Sequence, residues 1–106
     1  MEHWIIYDPV TGAETGRGFG PVGAGDRQRP GGGRCAVAVP RTVIQHGTES
    51  APEALREALA LRIARDMAAS RSGTPLARLR RALALEERIN AAADAADLLK
   101  IDITQD

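Results

Sequence analysis

Aromatic residues, cysteines and long apolar runs are scarce in this sequence, and each scarcity excludes a class of structure. The aromatic residues are Trp4, Tyr7 and Phe19, so helices further along the chain must pack through aliphatic side chains. The only cysteine, Cys35, excludes an internal disulfide and is compatible with a reducing compartment. No apolar run approaches the roughly 20 residues that cross a bilayer, and the start lacks the features of a signal peptide. We therefore expect synthesis in the cytoplasm and no membrane partner.

Net charge is also missing, because 14 basic side chains balance 14 acidic ones among the 106 residues. The balance holds separately before and after residue 50. A nucleic-acid-binding surface normally carries a clear excess of positive charge. A nucleic-acid partner is therefore not expected.

The first part of the chain has the pattern of a β-hairpin. Trp4-Ile5-Ile6-Tyr7 is rich in strand-forming residues, and Asp8-Pro9-Val10-Thr11-Gly12 supplies a turn. Together they predict a hairpin from about His3 to Arg17. The segment from Gly16 to Gly33 contains eight glycines and is predicted to be a loop. It is either a flexible surface loop or an arm that lies along a neighbouring subunit.

Strand patterns also occur before the helices and at the end of the chain. Arg34 to Val39 alternates larger and smaller apolar side chains, and Pro40 should end this strand or mark a kink. Arg41 to Ile44 is expected to continue the extended chain after the kink. Lys100 to Thr104 alternates apolar and polar residues, which predicts a short strand at a sheet edge.

The first predicted helix begins at a capping pattern. Ser50 can accept hydrogen bonds from the first free N–H groups, with Glu53 as its capping-box partner and Pro52 in the first turn. The helix should run from about Ala51 to Ser70. Arg71-Ser72-Gly73 should close it, because glycine suits the left-handed position after a helix end.

The second predicted helix starts with Thr74 as its cap and Pro75 in its first turn, and should reach about Leu98. A short connection favours an antiparallel pair of helices. The apolar residues of this helix drift around its axis, so it should contact different neighbours early and late. They form two stripes, with Leu76, Leu79 and Leu83 on one and Leu85, Ile89, Ala92, Ala96 and Leu99 on the next.

The predicted fold class is α+β. A small antiparallel sheet, made by the hairpin and one strand, precedes a two-helix unit. The sequence divides into residues 1–47, which hold the hairpin, the glycine-rich arm and the strand, and residues 48–106, which hold the two-helix unit and a short tail.

Few residues carry chemistry. Gly18 to Gly23 has the spacing G-x-G-x-x-G, but a dinucleotide site needs a strand before the motif and a helix after it, whereas more glycines follow here. Cys35, His3 and His46 lack both the spacing of a zinc site and a signature of nucleophilic catalysis. We expect Cys35 to be a buried strand residue. We expect no enzymatic activity, no catalytic residue, no cofactor and no metal.

Arginines cluster around the start of the second predicted helix. Arg78, Arg81 and Arg88 share one face, which makes a contact with phosphate or with an acidic partner conceivable. Glu86 and Glu87 lie close by, and no aromatic residue is available for base stacking. An ordinary solvated face is the favoured interpretation.

The opening Trp4 to Gly12, followed by Pro30 to Val39, resembles small proteins encoded among the tail and tail-fibre genes of bacteriophages and prophages. In those proteins an I-Y-D-P-x-T-G hairpin precedes a G-x-A-V strand. The resemblance covers about the first forty residues. The long glycine-rich loop departs from the family's short spacing. The resemblance implies a virion tail component, a fibre connector or a tail-assembly protein, with no catalytic residues to carry over.

The leading functional hypothesis is a bacteriophage tail or tail-fibre connector that is present in the virion as a homo-oligomer and binds other tail or fibre proteins. Alanine-rich helical faces bury little area, so we expect other chains to complete them. The alternative is a cytoplasmic tail-assembly chaperone or regulatory adaptor that binds a client through its helices. An enzyme or a DNA-binding regulator is less favoured. The residues expected to contact a partner are Trp4, Tyr7, Phe19, Leu55, Leu59, Ile63, Met67, Leu79 and Leu83.

Overall fold

The chain begins with a β-hairpin. The computed structural model describes residues 1–70 and 73–103, and its first two strands, β1 (Glu2–Asp8) and β2 (Ala13–Gly20), pair antiparallel. The Asp8 carbonyl accepts a hydrogen bond from the Gly12 N–H at 2.8 Å, and the Asp8 carboxylate accepts one from the Val10 N–H at 2.9 Å. Gly12 adopts φ +74°, a conformation that favours glycine. The predicted hairpin is confirmed.

Strand β2 extends further than the sequence indicated, because Gly16 to Gly20 belongs to it. Trp4 lies opposite Gly18 in the register of the two strands. A Cβ atom at Gly18 would lie 2.5 Å from Cζ2 of the Trp4 indole, so the ring occupies the space that a side chain would need. An aromatic side chain that covers a cross-strand glycine compensates for the weak strand preference of glycine. The prediction that the loop starts at Gly16 is wrong for this reason.

The next part of the predicted loop folds back onto its own sheet. A short 3₁₀ helix spans Gly25–Arg27, and its Gly25 N–H donates to the Glu2 carboxylate at 2.8 Å. Arg65 forms an ion pair with Asp26 at 2.8 Å. These contacts with the same chain hold residues 21–27 in place, so this part of the segment is not an arm that extends toward a neighbour.

The third strand, β3 (Cys35–Val39), pairs antiparallel with β1 and gives a sheet with the order β2-β1-β3. The strand predicted from Arg34 to Val39 is confirmed. The extended continuation predicted after Pro40 is wrong, because α1 (Arg41–His46) forms there. The Pro40 carbonyl accepts a hydrogen bond from the Val43 N–H at 3.0 Å, and the Val43 side chain is fully buried. Burial of this side chain accompanies the helical turn.

Helix α2 (Pro52–Ala69) confirms the first predicted helix, but its beginning differs. The residue at its N-terminal cap is Ala51, which makes no side-chain hydrogen bond to the helix. The capping role predicted for Ser50 is therefore wrong. Helix α2 packs against β3, and the largest apolar residues of its buried face are Leu55, Leu59 and Ile63.

Helix α3 (Pro75–Ala91) packs against α2 as a helical hairpin. Thr74 caps it as predicted, since its hydroxyl accepts a hydrogen bond from the Ala77 N–H at 3.1 Å. Gly73 adopts φ +70° before this cap, whereas Arg71 and Ser72, which were also predicted to close the first helix, lie outside the described residues.

The second helix is shorter than predicted and does not reach Leu98 without a break. It ends at Ala91, and a separate short helix, α4 (Ala95–Leu98), follows. The Asp94 carboxylate caps α4 by accepting a hydrogen bond from the Asp97 N–H at 2.9 Å. A side chain that bonds the backbone in this way competes with continuation of the preceding helix.

The end of the described chain enters the core instead of joining the sheet. Ile101 and Ile103 are buried, and the Ile101 carbonyl accepts a hydrogen bond from the Tyr7 hydroxyl at 3.0 Å. No strand forms over residues 100–103, so the predicted edge strand is wrong as far as the structure describes it; Thr104 lies outside the described residues.

A single hydrophobic core joins the sheet to the helices. It includes Ile5 and Val37 from the strands, Leu55 from α2, Ile89 from α3 and Leu98 from α4. The core thus draws on residues from both of the segments into which the sequence was divided, 1–47 and 48–106. The α+β fold class is confirmed. The radius of gyration over Cα atoms is 13.0 Å, close to the value of about 13 Å for a folded domain of 100 residues.

Candidate functional site

The exposed surface of the helical hairpin carries more apolar side chains than the fold uses. Leu76, Leu79 and Leu83 lie on α3 with exposed fractions of 55%, 46% and 50%. Met67 on α2 is also exposed. Solitary exposed leucines are ordinary on protein surfaces, whereas a contiguous row is typical of an interaction site. We call the α3 face that carries these three leucines the outer ridge.

A groove runs beside the outer ridge, between α2 and α3, with a volume of about 270 Å³. Ile63 is buried and contributes to the floor. Alanines line much of the remainder and keep the groove open, because their side chains are short. The other lining residues are Ala60, Ala64 and Met67 from α2 and Leu79, Ala82, Leu83 and Glu86 from α3.

The two helices that form the groove are fastened to each other at one end. Arg56 on α2 donates hydrogen bonds to the carbonyls of Ile89 and Ala92, the second at 3.1 Å. The last carbonyls of a helix have no partner within that helix, so the guanidinium satisfies groups that would otherwise need water. These two hydrogen bonds hold the end of α3 against α2, the two helices that form the groove.

Charged side chains of both signs lie around Leu83 on α3. Arg80 lies in its first half, whereas Glu86 and Glu87 lie in its second half, and all three side chains are exposed. On a helix of 3.6 residues per turn, Arg80 and Glu86 fall on the same side as Leu83. Leu83 therefore has a basic neighbour toward the beginning of α3 and an acidic neighbour toward its end, whereas Leu76 and Leu79 precede Arg80.

The arginine face predicted on this helix is not uniformly solvated. Arg78 is half-buried and donates to the Gly73 carbonyl at 3.0 Å. Arg81 is also half-buried and donates to the Ile103 carbonyl at 3.4 Å. Arg88 is exposed. Two of the three predicted surface arginines thus hold the fold together.

The structure separates the residues that were expected to contact a partner into two groups. Trp4, Tyr7, Leu55, Leu59 and Ile63 are buried by their own chain. Phe19, Met67, Leu79 and Leu83 are exposed. Met67, Leu79 and Leu83 come together at the groove, whereas Phe19 lies at the end of the sheet beside His3, with ring centroids 6.1 Å apart.

Sequence reasoning did not include Leu76, Arg80 and Glu86 in the expected contact set, although they share the outer ridge with Leu83. Their spacing in the sequence could have identified them, because residues 76, 79, 80, 83 and 86 lie along one side of a helix. The sequence contained two leucine stripes on this helix. Which of them faces the core became visible only from the packing of α3 on α2.

The side chains with catalytic potential are dispersed. Cys35 is buried and its thiol donates to the Asp102 carboxylate at 3.4 Å, whereas His3 lies beside Phe19 and His46 lies at the exposed end of α1. Burial raises the pKa of the Cys35 thiol, and the nearby Asp102 carboxylate raises it further. A thiol with a raised pKa is a poor nucleophile at neutral pH.

Metal-ligating side chains do not cluster either, because no group of three or more His, Cys, Asp or Glu side chains within residues 1–70 and 73–103 could hold a metal ion. In the described part of the chain, no helix combines the length and apolarity that crossing a bilayer requires. No protein-family model, curated protein or solved structure matches the chain.

Proposed function

We propose that this chain is a non-enzymatic interaction protein that assembles with a second copy of itself through the outer ridge of α3. The observation that carries the proposal is Leu83, which is half exposed beside an open apolar groove and lies between the exposed charges of Arg80 and Glu86. The setting is the one implied by the resemblance of the first forty residues, a tail or tail-fibre connector of a bacteriophage. A symmetric pair would present two hairpins to neighbouring tail proteins.

The charges of the outer ridge favour an antiparallel arrangement of the two copies. If Leu83 lies on the two-fold axis, residues at equal distances before and after it meet across the interface. Arg80, three positions before, then faces Glu86 of the second copy, three positions after. Two such ion pairs flank a contact between the two Leu83 side chains. Charge pairs of this kind set orientation and register more than they add affinity.

A parallel arrangement would place Arg80 against Arg80 and Glu86 against Glu86. Like charges that meet directly are unfavourable, so the same residues oppose this alternative. Arg80 and Glu86 complement each other across an antiparallel pair, which is why the occupant proposed is a second copy. In this register Leu83 makes the central contact, whereas Leu79 and Leu76 lie opposite Glu87 and Asn90 of the second copy.

The test is the mass of the protein in solution, measured by analytical ultracentrifugation over a wide range of concentration. The wild type should form a dimer, and Leu83→Ala should shift the equilibrium toward monomer. Leu61→Ala is the matched control, because Leu61 is an exposed leucine of α2 that lines a separate depression with Ala38 and Pro40. It should leave the dimer intact. A wild type that stays monomeric at every concentration would contradict self-assembly.

A charge exchange tests the orientation. Arg80→Glu places like charges against each other in the antiparallel pair and should weaken it, and Glu86→Arg should do the same. The double variant Arg80→Glu/Glu86→Arg restores opposite charges and should restore the dimer. If the double variant is as weak as the two single variants combined, the antiparallel register is wrong even though a dimer exists.

The setting is tested separately by mass spectrometry of purified phage particles. A structural connector is present at a fixed copy number. If particles need the protein for assembly but the finished particles lack it, the protein is an assembly chaperone and not a connector.

A further inference from the structure

A second surface, away from the groove, has a different composition. A cleft of about 630 Å³ lies between the loop at residues 28–34, helix α2 and Ile103. Four arginines line it, Arg29, Arg34, Arg62 and Arg81, against two aspartates, Asp26 and Asp66, which leaves an excess of two positive charges. The chain as a whole has no net charge, so this excess is a local feature.

Arg62 is the fixed element of the cleft. The residue is only 5% exposed, its Nε donates to the Asp66 carboxylate at 3.0 Å, and its Nη1 donates to the Ala36 carbonyl at 2.6 Å. Its second terminal nitrogen, Nη2, has no hydrogen-bond partner among the described residues. This nitrogen is not enclosed by the protein, so an acidic oxygen of a ligand in the cleft can reach it.

The aspartates are already engaged by arginines of the same chain. Asp66 accepts hydrogen bonds from Arg62, and Asp26 forms an ion pair with Arg65 at 2.8 Å. Arg81 supports the wall by donating to the Ile103 carbonyl. Arg29 Nη1 donates to the carbonyls of Asp26 and Gln28, at 3.1 Å and 2.9 Å. The donors that remain to meet a ligand are therefore the guanidinium of Arg34, Nη2 of Arg62 and the other nitrogens of Arg29.

Arg34 is held at the edge of the cleft by a segment that only glycine can form. Gly31, Gly32 and Gly33 adopt φ values of +74°, +60° and +75° in succession. The Arg34 guanidinium lies close to Gly32, where an added Cβ would be 3.5 Å from its Nη2. No acceptor within the described residues binds this guanidinium. The glycine triplet therefore leads directly into Arg34, an exposed arginine that lines the cleft.

We propose that this cleft binds a small molecule with multiple acidic oxygens, either a phosphate ester or a polycarboxylate. Guanidinium groups bind the paired oxygens of both anions in a bidentate manner. The volume falls within the range of roughly 300–1,000 Å³ that is usual for small-molecule sites. The apolar walls, which include Pro30 and Ala69, would contact the uncharged part of the ligand.

The experiment is isothermal titration calorimetry of the full chain with pyrophosphate and with citrate, each at the same ionic strength as a chloride reference. At least one of the two should bind saturably at one site per chain. Pyrophosphate alone would identify a phosphate ligand, and citrate alone a carboxylate ligand. Arg34→Gln should weaken binding about tenfold, the loss expected for hydrogen bonds to a charged group.

Arg41→Gln is the matched control, because it removes the same charge from an exposed arginine that does not line the cleft. Its affinity should equal that of the wild type. Leu83→Ala should also bind normally, which separates this proposal from self-assembly. Absence of saturable binding by both anions, or an equal loss in Arg41→Gln and Arg34→Gln, would overturn the proposal.

Discussion

The β-sheet and the outer ridge of α3 use large apolar side chains in opposite ways. On the sheet, Trp4 covers Gly18, and Tyr7 is buried with its hydroxyl bonded to the Ile101 carbonyl. On α3, Leu76, Leu79 and Leu83 remain about half exposed. Apart from Phe19, which is exposed at the end of β2, the sheet buries its aromatic side chains within one chain, whereas the ridge carries apolar surface that the fold does not need. The exposed row is the surface that the proposed self-assembly would cover.

The largest expected effect separates a leucine of the core from one of the ridge. Leu59 is fully buried, so Leu59→Ala should lower the free energy of unfolding by about 2–5 kcal/mol. Leu83→Ala should change the stability of the monomer by less than about 0.5 kcal/mol. Urea unfolding at low protein concentration measures both. A large loss for Leu83→Ala under these conditions would remove the distinction between the two surfaces.

The next effect tests how tightly the sheet is packed. Gly18→Ala should destabilise the protein by about 3 kcal/mol, because the new methyl group collides with the Trp4 indole and overpacking is costly. Gly16→Ala is the control in the same strand. Its Cβ would meet Ile6 Cδ1 at an ordinary 3.6 Å, so its stability should be unchanged or slightly raised. Trp4 fluorescence should report greater exposure of the indole only in the Gly18 variant.

A third effect concerns the polar groups buried beneath the sheet. Tyr7→Phe should cost about 1–2 kcal/mol at neutral pH, because the Ile101 carbonyl loses its donor. Burial raises the pKa of Tyr7 well above its usual range, as it does for Cys35. As the pH rises, the unfolded chain therefore loses these two protons before the folded chain does. The free energy of unfolding should fall once the pH passes the ordinary pKa of each group, about 8.5 for the Cys35 thiol and about 10 for the Tyr7 phenol.

Urea midpoints measured from neutral to alkaline pH check this sign. Above about pH 10 the decline should be shallower in Tyr7→Phe than in the wild type, because the variant has no phenol to deprotonate. Parallel declines in both proteins would show that Tyr7 does not contribute to the alkaline loss.

The smallest effect compares two capping patterns that look alike in the sequence. Thr74→Ala should cost about 1 kcal/mol, because the Thr74 hydroxyl accepts a hydrogen bond from the Ala77 N–H. Ser50→Ala should have almost no effect, since the first turn of α2 has no side-chain cap. Thermal unfolding of the two variants measures the difference. Equal losses would mean that Ser50 caps α2 in solution.

Local patterns predicted those parts of the fold that depend on neighbours in sequence. The hairpin turn at Asp8 to Gly12, the strand at Cys35–Val39 and the cap at Thr74 all follow from residues within a few positions of one another. Several of the wrong predictions needed a distant residue, although the Ser50 cap and the end of the second helix failed within a local pattern. Residues 16 to 20, three of which are glycines, form part of β2, and Trp4 from β1 lies opposite Gly18 and covers it.

The sequence predicted only part of the candidate site, because burial depends on contacts with distant residues. Met67, Leu79 and Leu83 were expected to contact a partner and lie at the groove. Trp4, Tyr7 and Leu59 have equally apolar side chains, yet they are buried. Apolar character indicates that a side chain will leave water, but not whether its own chain or another one will cover it.

The sequence by itself determined the α+β class, the hairpin, the two long helices and the supply of leucines on more than one side of α3. Only the tertiary structure decided which leucine stripe faces the core, where the tail packs and how the loop that carries Arg34 meets Arg62 on α2. The physical reason is the range of the interactions. Turns and caps are satisfied within a few residues, whereas burial and the pairing of charged groups depend on contacts between segments far apart in the chain.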